Sequence, residues 1–345
     1  MDIVRQDTTD PAVIRACHEV ATAGDAVDDP FGPPLTLRRM GGWLAHPDEP
    51  TELWAADGAT ADGIAGWYLL RLPDQENLHR GSLSLAVHPA SRRGGLGSAL
   101  LRHAAMRAAD HGRSVLRGSA LQGTAGAAFA ARVGATAGLV DARRVLALGK
   151  IPAGHVAALR ERATRAAAGY SLVSWQGSTP DQYLAGFAEV LNAANDMPHD
   201  PGQEEEVWDA NRVREFDEAR ELRGRHIYTI AALHDASGEM AALTDVEAQA
   251  DSESPTWGHQ LLTAVTRPHR GHRLGLLVKA AMLEWLAEAE PQLERIVTGN
   301  AAVNQHMIAI NQQLGYELLE PPGQSYEIAV ADLGPAAGGA LGGED

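Results

Sequence analysis

An internal repeat is the feature of this sequence that most restricts how the chain can fold. Residues 84–101 read SLAVHPASRRGGLGSALL, and residues 262–277 read LTAVTRPHRGHRLGLL. In each segment an apolar strand ends in Val, an arginine follows five residues later, and Leu-Gly opens a helix of apolar periodicity. Arg92 and Arg270 are 178 residues apart, and a second matching pair, Gly134 and Gly315, is 181 residues apart. Two landmarks at nearly one offset predict two copies of one α/β unit.

Composition and charge limit the functions that the chain can have. Its 345 residues are 45% hydrophobic and 21% charged, which is enough apolar mass for two cores. The formal charge of −16 disfavours binding to nucleic acid or to an anionic membrane surface. A single cysteine, Cys17, excludes an intramolecular disulfide and a zinc–thiolate cage. No segment reads as a signal peptide or a membrane span, so we expect a cytoplasmic protein.

The order of the predicted elements gives the domain boundaries. We expect an N-terminal domain over residues 1–150, a helical linker over 151–169, a C-terminal domain over 170–333 and a disordered tail over 334–345. Each copy has helices first and then alternating strands and helices, which predicts a mixed α/β fold. Helices are expected at 11–22, 36–45, 98–110, 124–133, 181–192, 204–223, 274–288 and 303–314. Strands are expected at 52–56, 64–72, 83–87, 115–121, 142–148, 170–175, 226–233, 240–249, 259–265, 295–298 and 326–333.

The segment Arg92-x-x-Gly95-x-Gly97 lies between a strand and a helix and suits an anionic ligand. Glycines let the backbone approach the ligand, and amides at a helix start donate to it. A dinucleotide loop would open its unit and be followed after about 20 residues by an acidic residue, whereas the next strand reads VLRGS. Gly-Lys-Ser/Thr is also missing. These points argue against an NAD-dependent oxidoreductase and a nucleoside-triphosphate loop.

The loop resembles the signature of the GNAT superfamily of acyl-CoA-dependent N-acetyltransferases. In that family a strand ending in Val leads into Arg or Gln-x-x-Gly-x-Gly or Ala, whose backbone amides hold the pyrophosphate of CoA. The first half matches the signature in full. The second half matches through Arg270 and Gly275 but has Arg273 at the middle glycine, a departure that crowds the loop.

A second family motif is better preserved in the second half. The resemblance expects Asn after the next strand, then a helix and Gly-Phe or Gly-Tyr, and the sequence supplies Asn304 and Gly315-Tyr316. In the first half Gly123 stands in the place of Asn304. The resemblance covers nearly the whole chain twice. It implies two GNAT domains, each with a central mixed, mostly antiparallel β-sheet flanked by helices and a strand–loop–helix pyrophosphate site.

The resemblance implies acetyl-CoA or another acyl-CoA as a bound substrate, and no metal. Carried over position by position, the cofactor-binding residues are Val87, Arg92, Arg93, Gly94, Gly95, Leu96, Gly97 and Ser98 in the first half. In the second half they are Val265, Arg270, Gly271, His272, Arg273, Gly275 and Asn304.

Acetyl transfer to an amine requires three groups on the protein. A base must collect a proton from the amine. The thioester oxygen needs a donor, and the resemblance implies that this donor is the backbone amide of Val87 or Val265. The third group donates to the departing thiolate. Many GNATs use a Tyr four residues before the late glycine, but this sequence has Ala130 and Asn311 there. Asn311 can donate through its amide, whereas Ala130 cannot.

Glu247 is the first candidate for the base, because its strand should lie beside the strand of Val265. The alternative is a carboxylate that faces solvent. Asp245 shares its face by alternation, and His259 opens the adjacent strand. In the first half Asp57, Glu52 and His88 are candidates by position only.

Two further reactive side-chain types have a structural interpretation. His269 and His272 suggest a metal pair, but the sequence offers no evident third ligand, which favours a solvated loop. Cys17, on an apolar helix face, is expected to be a small core residue.

We therefore expect an N-acetyltransferase that acts on a small-molecule amine, as a monomer or homodimer. The first domain should hold acetyl-CoA mainly as a structural ligand, and the second should catalyse the transfer. A non-catalytic acyl-CoA-binding or sensing protein, or a scaffold in a biosynthetic complex, stays open because both halves lack the Tyr. The resemblance to actinobacterial-type tandem GNATs implies secondary metabolism such as antibiotic biosynthesis, self-resistance or thiol biosynthesis as the setting, and the sequence does not select among them.

Overall fold

A computed structural model describes residues 2–57, 63–248 and 256–334. The elements up to residue 147 are β1 (Ile3–Gln6), α1 (Pro11–Asp28), α2 (Leu37–Ala45), β2 (Thr51–Asp57), β3 (Ile64–Arg71), β4 (Arg80–Val87), α3 (Leu96–Asp110), β5 (Val115–Leu121), α4 (Ala125–Arg132) and β6 (Thr136–Ala147). Those that follow are α5 (His155–Ala166), β7 (Tyr170–Gln176), α6 (Leu184–Ala193), α7 (Ala210–Leu222), β8 (His226–His234), β9 (Met240–Ala248), β10 (Trp257–Val265), α8 (Leu274–Ala289), β11 (Arg295–Ala301), α9 (Gln305–Leu314), β12 (Glu317–Leu318) and β13 (Gly323–Ala329).

The chain forms two compact units. The first unit contains Met1–Asp141, Asp200–Glu204 and Pro321–Asp345, and the second contains Ala142–His199 and Glu205–Glu320. This division differs from the expected boundaries at 150 and 170–333, which follow chain order. Strand pairing does not follow chain order: β13 is antiparallel to β5 from Gly323↔Leu121 to Ala329↔Val115, which places the end of the chain in the first unit.

The first unit is a mixed sheet with helices on both faces. Its strand order is β1-β2-β3-β4-β5-β13-β6, and only the β4–β5 pair is parallel. Leu70 and Leu116 pack with α3 on one face. Leu69, the next residue along β3, points to the opposite face and packs with α1 and α2 around Cys17 and Met40.

The second unit repeats this arrangement. Its strand order is β6-β11-β10-β9-β8-β7, with β12 also paired to β6, and the β10–β11 pair is parallel. Val246 on β9 packs with α8 in one core. Leu243, on the other face of β9, packs with Phe187 of α6 and Val213 of α7 in a second core. One face of β9 therefore packs against α8, and the other packs against α6 and α7. They are called the α8 face and the α6–α7 face.

The main elements agree with expectation, and the differences have local causes. The analysis missed β1, which lies ahead of the first helix and pairs with β2. The helix expected from 204 begins only at Ala210, because the Asp209 side chain caps it by accepting from the amides of Asn211 and Arg212. β6 begins at Thr136 rather than 142, where its extra residues pair with β13. Two expected features lie outside the described residues: the tail from residue 335 onward, and Gln249, the last residue of the strand expected at 240–249.

Candidate functional site

The loop between β4 and α3 has a backbone suited to an anion. Arg93 and Gly95 have φ of +66° and +85°, and α3 starts directly after Gly95. Among the described residues no side chain caps α3, and its first backbone bond runs from the Ala99 amide to Gly95 O at 3.0 Å. The three amides before Ala99 are therefore directed at the loop, as in helix N-termini that bind phosphate.

The loop between β10 and α8 follows the same backbone path with the residue types exchanged. Gly271 has φ +92° and Arg273 has φ +57°, and no side chain of the described residues caps α8. Arg273 thus adopts the left-handed conformation of its counterpart Gly95, which is uncommon for a residue with a side chain. The missing glycine leaves the arrangement of amides in the second loop unchanged.

Several loop residues that were expected to bind cofactor also serve packing. Leu96 and Leu274 are buried, so only their amides can face a ligand. A Cβ at Gly97 would lie 3.5 Å from the Phe129 ring, and one at Gly275 would lie 3.3 Å from Ile310. These two glycines let α3 and α8 pack closely against neighbouring side chains. Of the remaining predicted residues, Gly94 and His272 are exposed and Ser98 is half-buried in the first turn of α3.

The arginine of each loop points back to its own strand. Arg92 Nε donates to Val87 O at 3.2 Å, and its guanidinium pairs with Asp28 at 2.8 Å. Arg270 Nε donates to Val265 O, also at 3.2 Å, and pairs with Asp196 at 2.6 Å. Each guanidinium is paired with a carboxylate and braces the loop, and its expected contact with phosphate stays a prediction. Arg93 is exposed.

Beside each loop the sheet opens. β4 and β5 pair only from Arg80 to Ser82, and β10 and β11 only from Trp257 to His259. The amides of His88 and Thr266 donate to β3 and β9, and amides alternate in direction along a strand. The amides of Val87 and Val265 therefore point toward the opening. Donation from these amides to a thioester oxygen stays a prediction of the resemblance.

A bulge in β10 is held by Asp245. The register shifts between Gln260 and Thr263, and the bulged Leu262 amide donates to Asp245 Oδ1 at 2.7 Å. Asp245 is 1% exposed and also accepts from Arg220 at 2.8 Å. The Asp245 carboxylate therefore fixes the shape of β10. Because both of its oxygen atoms are engaged, Asp245 does not reach a cleft, and Glu247 is the remaining candidate on this face.

Glu247 is buried, at 5% exposure, so the solvent-facing alternative is wrong. It stands directly across from His259 on the antiparallel β9–β10 pair, so their side chains share a face. By alternation with Leu243 this is the α6–α7 face, opposite to α8 and its loop. Arg225 lies 3.7 Å from the Glu247 carboxylate. A carboxylate and an imidazole thus meet where β10 and β11 begin to separate.

The two asparagines predicted from the late motif have other contacts. Asn311 is fully buried and its Nδ2 donates to Asn300 Oδ1 at 2.7 Å, so its amide is engaged within the fold. Asn304 caps α9 by accepting from the Met307 amide at 3.2 Å. Asn300, near the end of β11, was missed, although the family pattern of a strand followed by Asn could have indicated it.

Of the three first-unit candidates for a base, Glu52 has a clear reason against that role. Glu52 is buried and accepts two hydrogen bonds from Arg107, and these, aided by His111 and Trp54, lower its pKa to about 2. His88 Nδ1 accepts from the Ala90 amide. Asp57 is exposed at the end of β2.

Cys17 is confirmed as a core residue. It is fully buried, and burial raises the pKa of its thiol to about 12.

His269 differs from expectation, because it is buried rather than solvated. Two potential metal ligands that the sequence did not reveal, His234 and Glu239, lie within 4.8 Å of it, ligand atom to ligand atom. Sequence spacing could not have shown this group, since His269 lies far along the chain from the turn that carries His234 and Glu239.

Comparison with known proteins gives the family. Residues 49–134 match the model of the acetyltransferase (GNAT) domain. A tandem GNAT protein from the clavulanic acid biosynthesis pathway is 28% identical, with a TM-score of 0.78 over 97% of this chain and 99% of that one. The chain therefore contains a GNAT acetyltransferase domain and is similar over nearly its whole length to a tandem GNAT protein.

Two further comparisons support the fold. A GCN5-related N-acetyltransferase from Sphaerobacter thermophilus is 13% identical, with a TM-score of 0.64 over 95% of each chain. A fungal multi-domain β-N-acetylglucosaminidase with a GCN5-related glucosamine N-acetyltransferase region is also 13% identical, with a TM-score of 0.64. The match covers 95% of this chain and 38% of the fungal chain. No curated protein matches the chain. None of the described helices is long and apolar enough to cross a membrane.

Proposed function

We propose that this GNAT acetyltransferase moves an acetyl or other acyl group from CoA to the amine of a small molecule, and that the second unit carries out the transfer. One observation supports the division most strongly. Val265 pairs with Ala242 in the second unit, and Val87 pairs with Gly66 in the first. Glu247 lies five residues after Ala242, and the residue five after Gly66 is Arg71. An arginine stays protonated and cannot act as a base. The first unit has no carboxylate at this register.

In the second unit the acyl donor and the acceptor approach from opposite faces of the sheet. The loop amides at the start of α8 hold the pyrophosphate, and the thioester enters the opening between β10 and β11. Its carbonyl oxygen accepts from the Val265 amide. The acceptor amine comes from the α6–α7 face, where Glu247 and His259 lie.

The transfer is a direct attack. The amine nitrogen bonds to the carbonyl carbon, the C–S bond breaks, and CoA leaves as a thiolate that takes a proton from solvent. Glu247 receives the proton of the amine, directly or through a water molecule, with His259 as its neighbour. We assign no side chain to the thiolate, because the Asn311 amide is bound to Asn300. Asn311 instead supports the contact between α9 and β11.

In the first unit we propose that acetyl-CoA is mainly a structural ligand. Gly94 and Gly95 leave space at the loop, since a Cβ at Gly95 would meet nothing within 4 Å. The face opposite to α3, however, is covered by residues 200–204. Asp200 is buried there and accepts from the Leu139 amide at 2.7 Å, from Ser325 at 3.0 Å and from Arg117. Leu116 packs with α3, so the next residue along the strand, Arg117, points to the opposite face. By analogy with the second unit, that opposite face is the one from which an acceptor would approach.

The proposal is tested by Glu247→Gln in the full chain. Acetyl-CoA consumption is measured against a panel of amines, and bound acetyl-CoA is counted by native mass spectrometry. We expect turnover to fall at least ~100-fold while the first-unit cofactor remains bound. Glu218→Gln, on the exposed surface of α7, is the matched control and should keep full activity. Full activity of the Glu247 variant would place the chemistry elsewhere.

A non-catalytic acyl-CoA-binding role is the second candidate. It is favoured by the engaged Asn311 amide and by the absence of Tyr four residues before Gly134 or Gly315. The same panel distinguishes the two, because a binding protein would bind acetyl-CoA and turn over no amine. The acceptor class is suggested by the similar tandem GNAT protein, which comes from the clavulanic acid biosynthesis pathway. On this basis we propose a small-molecule biosynthetic amine.

A further inference from the structure

A cluster of histidines in the second unit lies outside the site described above. His234 ends β8, Glu239 precedes β9, and His269 ends the 3-10 turn that follows β10. One potential ligand atom from each of the three lies within 4.8 Å of the others. The tight turn that carries His234 and Glu239 is closed by their backbones, with His234 N donating to Glu239 O at 2.9 Å.

Each of the two imidazoles has a hydroxyl group at its Nδ1. Tyr170 OH lies 2.9 Å from Nδ1 of His269, and Ser237 Oγ lies 2.9 Å from Nδ1 of His234. Each Nδ1 is thus occupied by a hydroxyl, which leaves Nε2 as the ligand atom. His269 Nε2 is 3.5 Å from Glu239 Oε2. Hydroxyl or carboxylate partners on the far nitrogen are the usual support of a metal-binding histidine.

The spacing and chemistry fit a transition metal. Zn²⁺ bonds of about 2.0–2.1 Å to N and O in a tetrahedral site place neighbouring ligand atoms about 3.3 Å apart, close to the His269–Glu239 separation. Two histidines and one glutamate are a known zinc ligand set. The exposed Glu239 can rotate to shorten the remaining distances, and a fourth position stays open for water or His272, whose ring lies 5.3 Å from Tyr170.

We propose that His234, Glu239 and His269 bind one divalent transition metal ion, with Zn²⁺ as the natural candidate. The ion joins the β8–β9 turn to the residue that precedes Arg270, and so fixes the start of the Arg270–Arg273 loop. Its role is structural. The first unit has Ser91 at the position of His269, one residue before the loop arginine, so the cluster is specific to the second unit.

The test uses the full chain with any purification tag removed, stripped with chelator and desalted. Co²⁺ is titrated in and followed by its visible absorption, and native mass spectrometry counts the ions per chain without any cofactor present. We expect one Co²⁺ per chain, displaced by Zn²⁺, and a melting temperature that rises with Zn²⁺. Because no acetyl-CoA or amine is used, the result is independent of the proposed transfer reaction.

The variants decide which residues are responsible. Glu239→Gln should weaken Co²⁺ binding at least ~10-fold, and the double variant His234→Ala/Glu239→Gln should abolish it and the thermal shift. Both positions lie in a surface turn, and circular dichroism without metal checks the fold. His306→Ala, an exposed histidine on α9, should bind as the wild type does. Absent Co²⁺ binding, or equal binding by the double variant, would overturn the proposal.

Discussion

Arg270 donates from Nε to the carbonyl oxygen of Val265, five residues earlier in the chain, at an N···O distance of 3.2 Å. Arg92 and Val87 repeat the bond at the same distance in the first unit. The arginine of the motif therefore joins the end of the opened strand to the phosphate loop. In each unit a carboxylate from a preceding helical segment, Asp196 or Asp28, holds the guanidinium in place.

Arg270→Gln should weaken acetyl-CoA binding to the second unit about 10-fold, because the loop loses its bond to Val265. Isothermal titration calorimetry measures this loss. Arg267→Gln is the control, since Arg267 also pairs with Asp196 but has no recorded bond to the Val265 carbonyl among the described residues. If both variants lose the same affinity, the ion pair to Asp196 and not the strand contact supports the loop.

Gly95→Val should abolish acetyl-CoA binding to the first unit. The residue has φ +85°, which costs a β-branched side chain about 1–2 kcal/mol, and the added methyls occupy the approach of the ligand. Gly112→Val is matched in strain, because Gly112 has φ +71° and its Cβ also meets nothing within 4 Å, but it lies after α3.

Native mass spectrometry and thermal melting separate the two glycine variants. Both should melt at a lower temperature than the wild type. Only the Gly95 variant should lose its cofactor and the stabilisation that acetyl-CoA gives. Retained cofactor in that variant would show that the loop is not the binding site.

Glu52→Gln should destabilise the protein at pH 7 by about 2–4 kcal/mol, because it leaves Arg107 and His111 without their buried carboxylate. The folded pKa of Glu52, about 2, lies below its ordinary value of 4.5. The stabilisation is therefore present above pH 4.5 and is lost as the pH falls toward 2. Urea unfolding between pH 2 and 7 should show the two proteins converging at low pH. A constant difference would contradict this cause.

Lys279→Met should stabilise the second unit by about 1–3 kcal/mol, since Lys279 is buried in α8 with its ammonium 5.1 Å from the centre of the Tyr316 ring. Burial lowers the pKa of Lys279 to about 7 from 10.5. The unfolded chain then binds more protons between pH 7 and 10.5, so wild-type stability should rise with pH over that range relative to the variant. Thermal melting from pH 6 to 10 measures it, and parallel profiles would count against a displaced pKa.

The sequence by itself determined the repeat, the resemblance to GNAT proteins and the two strand–loop–helix segments. These are local features: a strand, a turn and a helix within about 20 residues, whose backbone follows from nearby residue types. The identity of Val87 and Val265 as strand ends beside an opening also followed from the motif. Burial of Cys17 followed from its apolar helix face.

Only the tertiary structure decided which side chains meet. The Asp245 carboxylate holds a bulge 17 residues away in sequence, and Asn311 binds an amide on β11. The strand between β5 and β6 is β13, Gly323–Ala329, and Asp200 also reaches the first unit from far along the chain. The candidate metal ligands come from two turns that are distant in sequence. His234 and Glu239 flank the β8–β9 turn, and His269 ends the turn after β10. Contacts of this kind depend on how strands pair and helices pack over long sequence separations, and no local spacing encodes them.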